Sequence, residues 1–264
     1  MSMKPAADNQ AVEIACDEAP RVRIDGASYV HGSYRSFEFV DVCARAGQLA
    51  VLLSGEWACS RDLLLAVAGA VRPTSGSLTV GDASFAALAG ARTMRAAMAW
   101  RAFQRKLRAS GAVGLGVFTW LTEVDASFTV EEAVARELSH RHRSGAQAPD
   151  SLDFLAQLGL ATHADQRIDR LHPAGRSRLS AALALAPAPD VATIDLRDPF
   201  CAGLTADEER AVVRDLRGIA RATGAAVLVG CAEATSSADA DAAFALDIAA
   251  AEALDAAPAV RSAL

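Results

Sequence analysis

Short apolar runs bounded by glycine or polar residues predict the strands of this chain. The runs "LAVLL" at 49–53, "DVATID" and "AAVLVG" are almost continuous, which is typical of parallel strands buried on both faces. Earlier, "RVRIDGASYVHG" and "RSFEFVDVCARAGQ" mix alternating and apolar runs broken by glycine, which indicates antiparallel strands. A strand at 77–80 follows the turn "PTSG", and "GAVGLGVFTW" predicts a glycine-rich strand.

Helical periodicity occupies most of the remaining chain. We predict helices at 62–69, at 92–108 and over "SLDFLAQLGL" and "GRSRLSAALALA". Two more have N-terminal signals: Thr129 precedes "VEEAVARELSHRH" with Glu132 at the capping-box spacing, and Thr205 caps "ADEERAVVRDLRGIARAT". The alternation of helices and strands in the second half predicts an α/β fold with a parallel sheet.

A chain of 264 residues fits one large domain. We assign residues 1–20 to a flexible N-terminal tail, 21–250 to the folded domain with a helical lobe at about 129–180, and 251–264 to a C-terminal tail.

Composition narrows the class of protein. A net charge of −6 argues against nucleic acid as a partner, because nucleic-acid binding requires a basic face. The five cysteines have no CxxC spacing, so we expect unpaired thiols. No signal-peptide pattern and no apolar run of membrane-spanning length occurs, which predicts a cytoplasmic protein.

The order of several segments resembles the ATP-binding cassette of ABC transporters over about residues 22–247. "LLLAVAGAVRPTSGSLTVGD" is the most specific match, and "FVDVCARAGQLAVLLSG", "VDASFTVEEAV", "LHPAGRSRLSAALALAPAPDVATID" and "AGLTADEER" follow the family order. The chain also resembles divergent actinobacterial cassette subunits that serve membrane permeases. The resemblance implies a P-loop NTPase-like fold with a mixed, mostly parallel sheet, an antiparallel N-terminal β subdomain and a helical lobe. It also implies ATP and Mg²⁺ as ligands.

The phosphate-binding loop of that family has changed here. A P-loop needs glycines that let consecutive N–H groups surround phosphate, a lysine, and a Ser or Thr for Mg²⁺. One alignment places Ser60 at the lysine position, and the other places Gly55 at the first glycine and Arg61 at the lysine. The degenerate loop positions are Gly55, Glu56, Trp57, Ala58, Cys59, Ser60, Arg61 and Asp62. Arginine at the lysine position would still bind phosphate, whereas Glu56 and Asp62 would repel it.

The other family positions have also changed. Thr119 or Trp120 replaces the Q-loop glutamine, Leu196 the catalytic glutamate, Thr205 the D-loop aspartate, and Cys231 or Ala232 the switch histidine. The signature positions are Leu171, His172, Pro173, Ala174 and Gly175. Asp195 ends its strand like a Walker B aspartate and is the candidate metal ligand. His31, with Tyr29 and Tyr34 as alternatives, is the candidate for adenine stacking.

The predicted helix at 92–108 is basic, and no acidic residue occurs between Asp82 and Glu123. Helical spacing places its apolar residues on one face and its arginines on another. We expect either packing on its own domain or docking on a permease or an anionic membrane. The docking candidates are Trp100, Arg101, Phe103, Arg105 and Arg108.

Three functional hypotheses follow. The first is a cassette subunit that does not hydrolyse ATP and acts as a structural or regulatory partner of a membrane permease, pairing with a second copy or with another cassette. It would lie in the cytoplasm, at the inner face of the membrane through that permease. The second is an active ATPase that uses Arg61 and Asp195. The third is a stand-alone interaction protein that retains the fold, so the sequence leaves the enzymatic status open.

Overall fold

The computed structural model describes residues 19–87, 94–122, 124–141 and 149–256. The strands are β1 (Val22–His31), β2 (Tyr34–Ala44), β3 (Leu49–Leu53), β4 (Ser75–Val80), β5 (Ala83–Ala86), β6 (Val113–Leu115), β7 (Val191–Asp195), β8 (Ala226–Cys231) and β9 (Ala242–Ala245). The helices are α1 (Trp57–Val67), α2 (Met94–Ser110), α3 (Val130–Arg141), α4 (Ser151–Gln157), α5 (Pro173–Leu185), α6 (Ala206–Thr223) and α7 (Ile248–Ala256).

The strands form two sheets. β2, β1, β4 and β5 make an antiparallel sheet, and β6, β7, β8, β3 and β9 make a sheet in which every pair is parallel. The predicted α/β class with an antiparallel N-terminal subdomain is therefore confirmed. We expected the main sheet to be mixed and mostly parallel. Instead its five strands are all parallel, and the antiparallel strands form the other sheet.

Alternating residues of the central strands serve two cores. In β3, Leu49, Val51 and Leu53 pack with the helices of the second half, whereas Ala50 and Leu52 pack with α1, α2 and the antiparallel sheet. β8 alternates in the same way. Because both faces are covered, these strands carry almost no polar residues, which is the pattern that predicted them.

The helix starts follow local capping. The Thr129 hydroxyl accepts from Glu132 N–H at 3.2 Å, and the Glu132 carboxylate accepts from Thr129 N–H at 2.8 Å. Thr205 and Glu208 form the same reciprocal pair at α6. Both predicted N-terminal signals are thus confirmed.

Three expectations need correction. The first helix begins at Trp57 instead of residue 62, and α7 occupies 248–256, so part of the expected C-terminal tail is helical. Residues 1–18 and 257–264 lie outside the described ranges. Cys59, Cys201 and Cys231 are free and buried, but Cys43 is disulfide-bonded, so the expectation of unpaired thiols is wrong for Cys43.

Helix α2 corrects part of the docking prediction. Trp100 and Phe103 are buried, and the Trp100 ring meets the Phe85 ring of β5 edge-on at 4.9 Å. Gln104 Nε2 donates to the Gly69 carbonyl at 2.7 Å, which ties α2 to the end of α1. The aromatic residues of α2 therefore pack on their own domain, and Arg101, Arg105 and Arg108 remain on its exposed side.

Candidate functional site

The link from β3 to α1 is only three residues long. β3 ends at Leu53 and α1 begins at Trp57, so Trp57 and the following positions of the degenerate loop are helical. Among the eight positions only Gly55 is a glycine, and the residues after Glu56 have no glycine to prevent helix formation. The geometry leaves no long loop that could wrap around a phosphate.

The backbone amide of Gly55, at the start of this link, is hydrogen-bonded to a carboxylate of the same chain. The Gly55 N–H donates to Asp247 Oδ2 at 2.7 Å, and the Ser54 hydroxyl donates to the same oxygen at 2.8 Å. Partial burial alone would raise the pKa of Asp247, but hydrogen bonds from Ala250 N–H, Ser54 and Gly55 N–H together lower it. Asp247 is therefore an internal anion beside Gly55, the residue predicted to correspond to the first glycine of a P-loop.

Arg197 closes the opposite side of the link. Its guanidinium donates to the Ser54 carbonyl and, at 3.2 Å, to the Gly55 carbonyl. Asp247 accepts from the Gly55 N–H and the Ser54 hydroxyl, and Arg197 donates to the carbonyls of both residues, so together they hold this link in place. No role was predicted for Asp247 or Arg197 from the sequence.

Asp195 lies at the end of β7 and is completely buried, with 0% exposure. Its Oδ2 accepts from Trp57 Nε1 at 2.8 Å, and its Oδ1 accepts from Arg197 N–H at 3.1 Å. Gly230 packs so closely that a Cβ there would lie 2.7 Å from Asp195 Oδ1. Burial raises the pKa of Asp195 to about 7.

These contacts do not fit a magnesium site. A Mg²⁺ ligand needs a free, ionised carboxylate oxygen in a site open to water and phosphate. Both oxygens of Asp195 accept hydrogen bonds from the protein, and its raised pKa disfavours the ion. Within the described ranges, no group of three His, Cys, Asp or Glu residues could hold a metal.

Arg61, the residue expected to bind phosphate, is committed to neighbours. Its Nε and Nη2 donate to Asp62 Oδ1 at 2.9 and 2.7 Å, and its guanidinium carbon lies 4.8 Å from the centre of the Trp57 ring. Asp62 in turn accepts from the Tyr34 hydroxyl at 2.8 Å. The Arg61 side chain is 27% exposed and so still reaches solvent, but the carboxylate of Asp62 offsets much of its positive charge.

The alternative lysine position is occluded. Ser60 is completely buried, and its hydroxyl donates to the Trp57 carbonyl at 3.1 Å. Cys59 is buried beside it, with its thiol against the Ser36 carbonyl, and burial raises the pKa of that thiol. Of the two residues left open for the lysine position, only Arg61 reaches the surface.

The candidate adenine-stacking residues separate in the structure. His31 is exposed at the end of β1, where it pairs with Tyr34 in the β1–β2 hairpin. Tyr34 lies edge-on to Tyr29 at 6.1 Å and reaches α1 through Asp62. Tyr34, not His31, is therefore the aromatic residue joined to the candidate site.

The signature positions form the start of α5. His172 is its N-cap, and its Nδ1 accepts from Gly175 N–H at 2.7 Å, with Pro173 as the first helical residue. Leu171 and Ala174 are buried. The Gly175 N–H, at the predicted signature position, is thus already hydrogen-bonded within the chain. The rings of His163 and His172 lie 5.4 Å apart, a contact that their separation in sequence did not predict.

The two residues predicted for the Q-loop position, Thr119 and Trp120, point in opposite directions. The Thr119 N–H and hydroxyl both donate to Asp198, which is completely buried. The next residue, Trp120, has a φ of +77° and is 92% exposed, beside Leu121 at 49%. Trp120, Val124 and Phe200 line a cleft of about 910 Å³.

The other residues predicted to correspond to catalytic positions of the family make structural contacts. Leu196 is buried, Thr205 caps α6, and Cys231 is enclosed, with its pKa raised by burial. The amides of Ala232 and Glu233 donate to the buried Glu209 of α6. None of Leu196, Thr205 and Cys231 presents a basic side chain to solvent.

The architecture resembles solved structures of ABC transporter ATP-binding subunits. A subunit from Clostridium perfringens, CbiO1, described as part of the ABC transporter complex cbiONQ, is 17% identical with a TM-score of 0.60. The match covers 87% of this chain and 86% of CbiO1.

A second ATP-binding subunit of an ABC transporter is 13% identical with a TM-score of 0.54, over 85% of both chains. No family model matches the sequence, and no curated protein matches it. The similarity therefore establishes the fold. In the described part of the chain no helix is long and apolar enough to cross a membrane.

The Trp57–Asp195 hydrogen bond gives a first prediction. Trp57→Phe retains a ring under Arg61 but removes the N–H donor. In the wild type that donor lowers the pKa of Asp195, so the substitution should raise it. We expect a loss of about 1 to 3 kcal/mol in the free energy of unfolding at pH 8, and a smaller loss at pH 5, where the folded carboxyl is protonated. Urea unfolding at both pH values measures this, with the exposed Trp120→Phe as control. Equal losses at both pH values would contradict the assignment.

Proposed function

We propose that this chain is a degenerate cassette subunit that does not hydrolyse ATP and that acts as a structural or regulatory partner of a membrane permease. The observation that carries the proposal is the pair of internal bonds at the candidate site. Asp247 accepts a hydrogen bond from the Gly55 N–H, and Trp57 Nε1 donates a hydrogen bond to Asp195. The chain thus satisfies internally the groups that a cassette would present to Mg²⁺ and ATP.

Electrostatics support the same conclusion. A phosphate at the Gly55 amide would meet the Asp247 carboxylate, with Glu56 nearby in the chain. At 4 Å and an effective dielectric constant of 20, one like-charge contact costs on the order of 4 kcal/mol. Millimolar to micromolar ligands bind with only about 4 to 8 kcal/mol. Arg61 cannot compensate fully because Asp62 already neutralises it.

The partner surface is supported by the cleft beside Trp120. A tryptophan that is 92% exposed with a φ of +77° combines backbone strain with unburied apolar area. The half-exposed Leu121 adds to this apolar area, and hydrogen bonds to the buried Asp198 hold Thr119 in place beside it. We infer that a permease docks here, on the cytoplasmic side of the membrane. The second cassette would be another copy or a different chain, and nucleic acid is not a partner.

The decisive experiment is equilibrium binding of ATP with Mg²⁺ by calorimetry, up to about 1 mM nucleotide. We expect no binding heat, while an ABC ATP-binding subunit with intact motifs binds in the same buffer. Micromolar binding that Arg61→Ala abolishes would overturn the proposal in favour of an active ATPase that uses Arg61 and Asp195.

A matched variant tests the internal anion. In Asp247→Ala the Gly55 amide loses its acceptor, whereas the Ser54 hydroxyl can still donate to the Glu56 carbonyl. We expect measurable, weak binding of inorganic phosphate or ATP by this variant and none by the wild type. If neither Asp247→Ala nor the wild type binds, the wild type still meets the proposal, but Asp247 is not what prevents binding.

A further inference from the structure

The outer face of helix α2 takes no part in the candidate site. Its buried residues, Ala96, Trp100, Phe103 and Leu107, form one stripe. At about 100° per residue, the opposite side carries a second stripe with the spacing 94, 98, 101, 105 and 108. Its members are Met94, Met98, Arg101, Arg105 and Arg108.

This outer stripe combines apolar exposure with charge. Met94 is 82% exposed and Met98 is 62% exposed, while the three arginines are also exposed. Arg95 and Lys106 lie on the flank beyond Met98, so basic residues stand on both sides of the methionines. The exposed face of α2 therefore presents apolar and cationic side chains next to each other, the two kinds of group that contact an anionic membrane surface.

The basic residues of α2 are not neutralised. Across the described ranges no ion pair includes Arg95, Arg101, Arg105, Lys106 or Arg108. Helix α6 differs, because Arg210 and Arg214 pair with Asp239, and Arg217 and Arg221 pair with Asp241. Only α2 therefore presents an unpaired cationic face among these two arginine-rich helices.

Charge is also segregated along the chain. Residues 83–122 hold six basic and no acidic residues, which leaves the rest of the chain with 20 basic and 32 acidic residues. An anionic surface would attract α2 and repel most of the remaining molecule, so it would select one orientation.

We propose that the outer face of helix α2 docks directly on an anionic phospholipid surface. Long, flexible arginine and methionine side chains suit a fluid interface, where the charged ends meet headgroup phosphates and the thioethers enter the boundary region. The aromatic residues of α2 point inward, so the outer face lacks the aromatic anchor that is typical of protein interfaces. This inference does not depend on nucleotide binding.

Flotation of the purified full chain with vesicles tests the proposal. We expect binding to vesicles that contain phosphatidylglycerol and none to pure phosphatidylcholine. Raising the salt from about 0.1 M to about 0.5 M shortens the screening length from about 10 Å to about 4 Å and should lower binding at least tenfold. Each basic residue near an anionic surface contributes about fivefold, so Arg101→Gln, Arg105→Gln and Arg108→Gln together should lower the partition coefficient about 100-fold.

The control makes the same charge change elsewhere, at the exposed Arg167, Arg170 and Arg214, and should leave binding within about twofold of the wild type. Replacing the three α2 arginines with lysine should preserve most of the binding, and it guards against a folding defect of the glutamine variant. Failure of the wild type to bind phosphatidylglycerol vesicles at low salt overturns the proposal. Binding to polyglutamate without vesicle binding also overturns it and assigns the face to an acidic protein.

Discussion

Asp195→Asn should stabilise the protein at pH 8 and change the pH dependence of its unfolding. Burial raises the pKa of Asp195 from 3.8 to about 7. Below about pH 4 the carboxyl is protonated in both states and costs nothing. Between these values the unfolded chain releases its proton first, so the folded state is progressively penalised as the pH rises. Above pH 7 the penalty is complete, at about 4 kcal/mol.

Asparagine removes that penalty but places an amide where Arg197 N–H now donates, which costs about 1 to 2 kcal/mol. We therefore expect a net gain of about 2 to 3 kcal/mol at pH 8 and little change at pH 5. Urea unfolding across this range measures both values, with the exposed Asp82→Asn as the control substitution. If the wild-type and Asp195→Asn stabilities remain parallel between pH 5 and pH 8, Asp195 does not carry the titration.

The sequence predicted the elements whose signals are local. Strand β3 was predicted at 49–53 and lies at Leu49–Leu53, because a five-residue apolar run buried on both faces has few other interpretations. Thr129 and Thr205 marked helix starts correctly, because capping depends on residues three positions apart.

The segment around β9 and α7 was missed for a physical reason. "ADAAFALDIAAAEALD" is dominated by alanine, which gives little hydrophobic contrast between faces, so neither a period of two nor one of 3.6 stands out. The strand exists because it pairs with β3, about 190 residues earlier in the chain. Pairing over that distance leaves no local pattern.

The residues of the candidate site also fall into two groups, those that local patterns could predict and those that depend on contacts between distant segments. Arg61 and Asp195 could be found from their places relative to apolar strands and helices. Asp247 and Arg197 could not, because their roles depend on which strand ends lie side by side in the parallel sheet. The sequence predicted that the phosphate-binding residues of the cassette family are missing, and in the structure Asp247 bonds to the Gly55 amide and Trp57 to Asp195.

Asp198→Ala should be among the most destabilising substitutions near the carboxyl ends of the parallel strands. Asp198 is completely buried and accepts from the Thr119 N–H, the Thr119 hydroxyl and the Phe200 N–H. Alanine leaves three donors without their acceptor. We expect a loss of about 3 kcal/mol in the free energy of unfolding.

Two smaller changes separate the contributions of these bonds. Thr119→Val removes only the hydroxyl donor and should cost about 1 kcal/mol, whereas Asp198→Asn retains one oxygen acceptor and should fall between Thr119→Val and Asp198→Ala. Urea unfolding of the three variants measures the series. Because Thr119 directly precedes the exposed Trp120, Asp198→Ala should also change the intrinsic fluorescence of the folded protein, and Thr119→Val much less. A loss below about 1 kcal/mol for Asp198→Ala would mean that water replaces the carboxylate, and that Asp198 does not hold the Trp120 segment in place.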